Sequence, residues 1–173
     1  MAKLKTKAIH TGQEPDPATG AVITPIYQTT TFAQDAPGVH KGYEYSRSGN
    51  PTRKVLDEVI ADMENGAYAF TFASGSAALS TLCLALLKPG DHVIVGDDVY
   101  GGTYRFLDKV LTKFNVTMDF IDMSDLSHVE AVIKDETKML FLESPTNPML
   151  KMTDLEAVIG LANKHNITTA VDN

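Results

Sequence analysis

A mostly parallel α/β sheet with helices on both faces, preceded by an extended amino-terminal arm, is the fold this sequence predicts. Three observations point to it. After Pro51, short apolar runs alternate with amphipathic helical stretches. Several of those runs, "HVIVG" and "KMLFLE" among them, are apolar at consecutive positions, the pattern of strands buried on both faces of a parallel sheet. Residues 1–50 instead show weak periodicity and many breakers, as in "QEPDPATGAVITP" and "APGVHKG". The expected division is therefore an arm over 1–50 and an α/β domain over 51–173.

The elements follow in order. Asn50 caps a helix with Pro51 at its first position, Val55, Leu56, Val59, Ile60 and Met63 on one face, and Gly66 as its stop. "AYAFTFA" (67–73) reads as a strand, Ser74-Gly75-Ser76 as a turn, "AALSTLCLALL" as an apolar helix, and "HVIVG" as the next strand after the turn "KPGD". Phe106, Leu107, Val110, Leu111 and Phe114 mark one face of a further helix. "VTMDFI" is a strand, "LSHVEAVI" a helix and "KMLFLE" a strand. Thr153 and Glu156 have capping-box spacing at the start of "DLEAVIGLANKH", and a strand over 168–171 leads to Asp172.

Composition narrows the function. With 173 residues, 43% apolar and 21% charged, the chain can bury one core and is not disordered. A net charge of -7 argues against general binding to nucleic acid or to an anionic membrane, which leaves a small molecule as the expected partner. The single cysteine, Cys83, lies in an apolar run, so it reads as a small buried hydrophobe in a reducing compartment. No stretch has the length of a membrane span and the amino terminus has no apolar core, which predicts a cytoplasmic protein.

Parallel sheets bind ligands at the carboxyl ends of their strands. Those positions hold Ser74-Gly75-Ser76, then Asp97 to Gly102, Asp122, Glu143 to Pro148 and Asp172. Gly75 and Ser76 could offer free amides to a phosphate, or the glycine could serve only the turn. The ring of Tyr100 could cover a flat heteroaromatic ligand, or could be an ordinary loop tyrosine. Two prolines would hold Asn147 rigidly, with or without a ligand. Asp172, expected to be buried at a strand end, should have a cationic partner. Tyr45 and Arg47 in the arm could bind a phosphate together, and an arm supplying them would reach another subunit. The five histidines are scattered and Asp97-Asp98 reads as a solvated turn, so no metal is expected. Walker, GxGxxG and nucleophile-elbow patterns are absent.

Taken together, "YEYSRSGNPT", "ASGSAAL", "VYGGTYR", "ESPTNP" and "AVDN" resemble, in order and spacing, the Cys/Met metabolism family of pyridoxal-phosphate enzymes. The resemblance covers nearly the whole chain. It implies the large domain of a fold-type-I pyridoxal-phosphate transferase. Gly75 and Ser76 would bind the phosphate, Tyr100 would stack on the pyridine ring, Asn147 would lie near the 3'-oxygen, and Asp172 would hold the ring nitrogen protonated. Tyr45 and Arg47 would grip the phosphate of a neighbouring subunit in a homotetramer built as a dimer of dimers. Tyr100 and Asp172 are the implied catalytic residues, and Glu44 and Arg105 the implied contacts to the distal amino and carboxylate groups of cystathionine. Gly102 stands where the methionine γ-lyase branch typically carries a cysteine.

The implied reaction is γ-elimination of cystathionine, with the γ-synthase and β-lyase reactions as alternatives. None of Lys138, Lys151 and Lys164 matches the family's cofactor-bearing lysine motif. The chain is therefore expected to be the amino-terminal part of an enzyme about twice its length, inactive by itself. The alternative of another class is a cofactor-fold or assembly fragment without catalysis.

Overall fold

The computed structural model describes residues 3–173, in two compact units, one running to Phe72 and the other from Ala73. In the first unit the arm is more ordered than expected. It opens with helix α1 (Leu4–His10) and carries a small antiparallel pair, β1 (Gln34–Ala36) and β2 (Val39–His40). Helix α2 (Pro51–Met63) belongs to this unit, because Asp62 accepts hydrogen bonds from Lys7 Nζ at 2.7 Å and Thr11 Oγ1 at 2.7 Å and so ties α1 to it. Those bonds, the Lys7 ammonium first, hold the Asp62 carboxyl below its usual range. Asn50 caps α2 as expected, accepting from the Thr52 amide at 2.9 Å. The helix stops earlier than Gly66, with Asn65 taking the left-handed conformation at φ 52°.

The expected strand over 67–73 does not form. A strand is held by a neighbour's edge, and among the described residues this segment has none. Tyr68 and Phe70 are exposed, and the Thr71 amide donates to the side chain of Asp57 at 2.9 Å.

The second unit is the predicted sheet. It contains α3 (Gly75–Leu86), β3 (His92–Gly96), α4 (Gly101–Lys109), β4 (Thr117–Ile121), α5 (Leu126–Ala131), β5 (Thr137–Glu143), α6 (Leu155–Lys164) and β6 (Thr168–Asp172). All pairings are parallel, in the order β4-β3-β5-β6. The period-two pleat sends alternate residues to two cores. Val93, Val95, Met139 and Phe141 pack with Cys83, Leu107 and Leu111 on one face. Ile94, Leu140 and Leu142 pack with Val129, Val158 and Leu161 on the other. Helices thus cover both faces. Burial pushes the Cys83 thiol up to about 11, as suits a packing residue rather than a nucleophile.

Two local expectations change. The helix expected through Phe114 breaks at Val110 and resumes as a 3-10 turn over Leu111–Phe114, which lets Leu107 and Leu111 both reach the core while Phe114 stays exposed. The cap of α6 is Asp154, accepting from the Ala157 amide at 3.0 Å, not Thr153. The Thr153 amide instead donates to Ser144 Oγ at 3.2 Å, which draws that residue toward the end of β5.

Candidate functional site

Because the four strands run parallel, their carboxyl ends form one rim, at which Asp97, Asp122, Glu143 and Asp172 follow or end β3, β4, β5 and β6. Helix α4 begins at this rim, directly after Tyr100. Its N-cap carries no side-chain cap of its own, and Glu143 Oε2 accepts the Tyr100 amide at 2.8 Å, placing a carboxylate where the helix dipole favours one. Glu143 also pairs in register with Asp172, and the Ser144 amide donates to the Asp172 carbonyl at 3.2 Å. Tyr100 and Asp172 are therefore linked through the neighbouring residues Glu143 and Ser144.

The loop after β5 is fastened to the loop after β3. Asp98 Oδ2 accepts the Thr146 hydroxyl and the Met149 amide, the latter at 2.9 Å. Lys151 Nζ reaches Asp97 Oδ2 at 2.9 Å and Asp122 Oδ2 at 2.8 Å, bridging three strand ends. Hydrogen bonding to Lys151 and Ser124 depresses the Asp122 carboxyl well below its ordinary range, and the same two carboxylates push the Lys151 ammonium upward. An amine held this firmly in its charged form is a poor nucleophile. Asp97 and Asp98, read from sequence as a solvated turn, are in fact the fasteners of the rim. Their roles leave no periodic trace, since each acts on a partner about 50 residues away.

The candidate residues lie as follows. Tyr100 is half exposed, and its ring folds back over Gly102, where an added Cβ would meet Tyr100 Cε1 at 2.3 Å. Asn147 is exposed in the fastened loop, between the buried Thr146 and Pro148. Asp172 is exposed among the described residues, contrary to the expected burial, at the end of β6, which pairs there with β5 alone. Among the described residues no cation pairs with it. Gly75 and Ser76 open α3, where Ser74 Oγ accepts the Ala77 amide at 3.1 Å and no described residue accepts the amides of Gly75 and Ser76. The 12-residue α3 leads through a short turn to the start of β3. At 1.5 Å per residue the helix spans the length of the strand, which directs its amino terminus toward the rim. Arg105 is exposed on α4.

In the first unit, the Arg47 guanidinium lies 4.7 Å from the centroid of the Tyr45 ring, and Tyr45 forms an isolated antiparallel bridge with Thr31. Arg53 Nη2 donates to the Arg47 carbonyl at 3.3 Å. Glu44 is exposed, and its carbonyl accepts the Phe32 amide at 3.0 Å.

A family model described as "Cys/Met metabolism PLP-dependent enzyme" matches residues 5–173. A protein of Herpetosiphon aurantiacus named probable cystathionine gamma-synthase is 54% identical over 97% of this chain and 52% of its own length. A cystathionine beta-lyase of Lactococcus lactis subsp. cremoris (strain MG1363) is 50% identical over 100% of this chain and 45% of its own. The crystal structure of cystathionine gamma-lyase from Lactobacillus plantarum complexed with L-serine aligns with a TM-score of 0.94 at 47% identity, covering 99% of this chain and 45% of that one. The chain spans about half the length of the curated relatives it matches.

Proposed function

The chain belongs to the Cys/Met metabolism family of pyridoxal-phosphate-dependent enzymes, and from that premise we propose that the protein carrying it is a carbon–sulfur lyase acting on cystathionine, with γ-elimination to cysteine, 2-oxobutanoate and ammonia as the reaction. The observation that carries the reading is the rim. Two amides at the start of α3 and a carboxylate on β6, none of them with a partner among the described residues, and a half-exposed tyrosine lie toward the carboxyl edge of one parallel sheet.

These residues fit the cofactor's chemistry. A phosphate calls for amides at a helix amino terminus, and a Cβ built at Gly75 meets no atom within 4 Å, so the approach is open. A protonated pyridine nitrogen calls for a carboxylate, and Asp172 lacks a cation among the described residues. When bound, pyridoxal phosphate supplies the electron sink that lets an amino acid lose its α-proton. The chain's own part is to grip and orient. Gly75 and Ser76 would hold the phosphate, Tyr100 would cover one face of the ring, and Asn147 would lie near the 3'-oxygen. Asp172 keeps the ring nitrogen protonated. Tyr45 and Arg47 serve a neighbouring subunit's phosphate, in a dimer of dimers. Tyr100 also accepts a proton from the incoming amine.

Asp172→Ala tests the reading. Pyridoxal phosphate should still bind while turnover falls by roughly a hundredfold or more, the scale of losing a tuned electrostatic partner; near-normal turnover would remove Asp172 from the mechanism.

Glu44 and Arg105 bear on substrate choice. An acid and a guanidinium can engage the two charged groups at the far end of cystathionine. Glu44→Asn with Arg105→Leu should lower kcat/KM for cystathionine about tenfold while sparing small thioethers. Equal losses on both substrates would show that the pair maintains structure. A second reading, γ-synthase or β-lyase chemistry at the same rim, is favoured by the names of the relatives above.

A further inference from the structure

We propose that Asp98 is a positioning residue: with Thr146 it clasps the loop after β3 to the loop after β5, and so sets the separation of Tyr100 and Asn147. The inference rests on the reading of the rim as a pyridoxal-phosphate site. Asp98 stands two residues before Tyr100, and Thr146 one residue before Asn147. One carboxylate oxygen of Asp98 accepts both the Thr146 hydroxyl and the Met149 amide. Thr146 passes the constraint on, because its Oγ1 accepts the Lys151 amide at 2.8 Å and its own amide donates to the Lys151 carbonyl at 3.0 Å. Residues 146–151 are thus closed into a ring of bonds whose side-chain links to the β3 loop, among the described residues, are Asp98 and the Lys151 ammonium.

Physical chemistry makes that link costly to lose. Thr146 is 6% exposed, so its hydroxyl has little water to replace Asp98 with. Tyr100 and Asn147 sit on different loops, both exposed, and neither is packed into the core. A flat ligand held between groups on two loops needs those loops at a fixed spacing, and small displacements of such groups weaken binding steeply. Asp98 supplies the spacing from below, without itself touching the ligand.

The test uses the protein carrying this chain, with three measurements: amide hydrogen exchange at Tyr100 and Met149 in the cofactor-free form, the dissociation constant for pyridoxal phosphate, and the thermal midpoint. Asp98→Asn keeps the shape but loses one acceptor, and Thr146→Val loses the hydroxyl. Both should speed exchange at the two amides and weaken pyridoxal phosphate by about tenfold. Thr146→Ser, which keeps the hydroxyl, should restore both. Asp119→Asn is the control, since Asp119 binds Lys134 at 2.7 Å and His92 at 3.2 Å toward the opposite end of the sheet. It should lower the midpoint without changing exchange at the rim or affinity. Unchanged exchange in Asp98→Asn and Thr146→Val overturns the clasp. Equal loss of affinity in Asp119→Asn, or failure of Thr146→Ser to restore it, reduces Asp98 to a general stabiliser and overturns its positioning role. Absence of saturable pyridoxal phosphate binding by the unmodified protein, with exchange responding as expected, overturns the cofactor reading and the positioning role with it, leaving only the bond network.

Discussion

Gly102 shows how much one missing methyl group decides. With its Cβ position 2.3 Å from the Tyr100 ring, alanine there forces the ring to swing away, since a tyrosine side chain yields more easily than the helix backbone. Gly102→Ala should therefore change the Tyr100 ring resonances and weaken pyridoxal phosphate several-fold, and NMR with a binding titration checks both. Unchanged resonances would show that the ring never rests on Gly102. At this scale the sequence was informative about residue types that a ligand needs and silent about how they are held. Tyr100, Asn147 and Asp172 could be named because they follow or end strands, and Gly75 because it follows the run over 67–73 that reads as one. Glu143, Asp98 and Lys151 could not, because side-chain bonds between distant loops follow no period. The burial expected for Asp172 failed for a related reason: whether a strand end is covered depends on which strands pair beside it, and strand order is a matter of tertiary pairing.

Among the elements, strands and helices after Ala73 were legible because both faces of β3 and β5 enter cores, which forces consecutive apolar residues. The segment 67–73 carries the same alternation without a partner edge, and alternation alone cannot say whether a partner is present. At α6 the capping-box spacing pointed to Thr153, whereas the chain turns one residue later. Asp154→Ala should accordingly destabilise the protein by about 1 kcal/mol and Thr153→Ala by much less, read from denaturant unfolding. Helix α1 was missed because its apolar residues, Leu4 and Ile9, face solvent and give no stripe.

Strand β3 also carries a pH dependence. His92 is buried at its start, with Nδ1 2.8 Å from Thr137 Oγ1, Asp119 at 3.2 Å, Lys134 at 3.5 Å and Glu136 nearby. Burial lowers its pKa from 6.5, with the Lys134 charge adding to the shift and Asp119 and Glu136 opposing it. The unfolded chain thus takes up a proton at higher pH than the folded one, so His92 supports the fold above about pH 6.5 and loses that contribution as pH falls through this value toward its lower folded pKa. The thermal midpoint should drop between pH 7.5 and pH 5.5, and His92→Gln should flatten that drop. An equally steep drop in the variant would assign it to other groups.

For the molecule as a whole, each of the two compact units carries its own share of the proposed cofactor contacts. Tyr45 and Arg47 lie in the unit ending at Phe72, and Gly75, Tyr100, Asn147 and Asp172 in the unit after it. If the arm serves a neighbouring subunit, mixing Arg47→Ala subunits with Asp172→Ala subunits should recover part of the lost turnover, because one kind of hybrid site regains both residues. No recovery in hybrids shown to have formed would place the arm at its own subunit's site. The family could be read from five motifs spread along the chain, whereas the grouping of α2 with the arm could not, since it depends on Lys7 and Thr11 meeting Asp62 across more than 50 residues. The claim that joins these scales is that the rim is a pyridoxal-phosphate site. A crystal structure of the protein carrying this chain with pyridoxal phosphate bound measures it directly. The account predicts the phosphate on the Gly75 and Ser76 amides, the ring beneath Tyr100 and its nitrogen within hydrogen-bonding distance of the Asp172 carboxylate; a cofactor bound away from α3, or with its nitrogen facing another group, would contradict it.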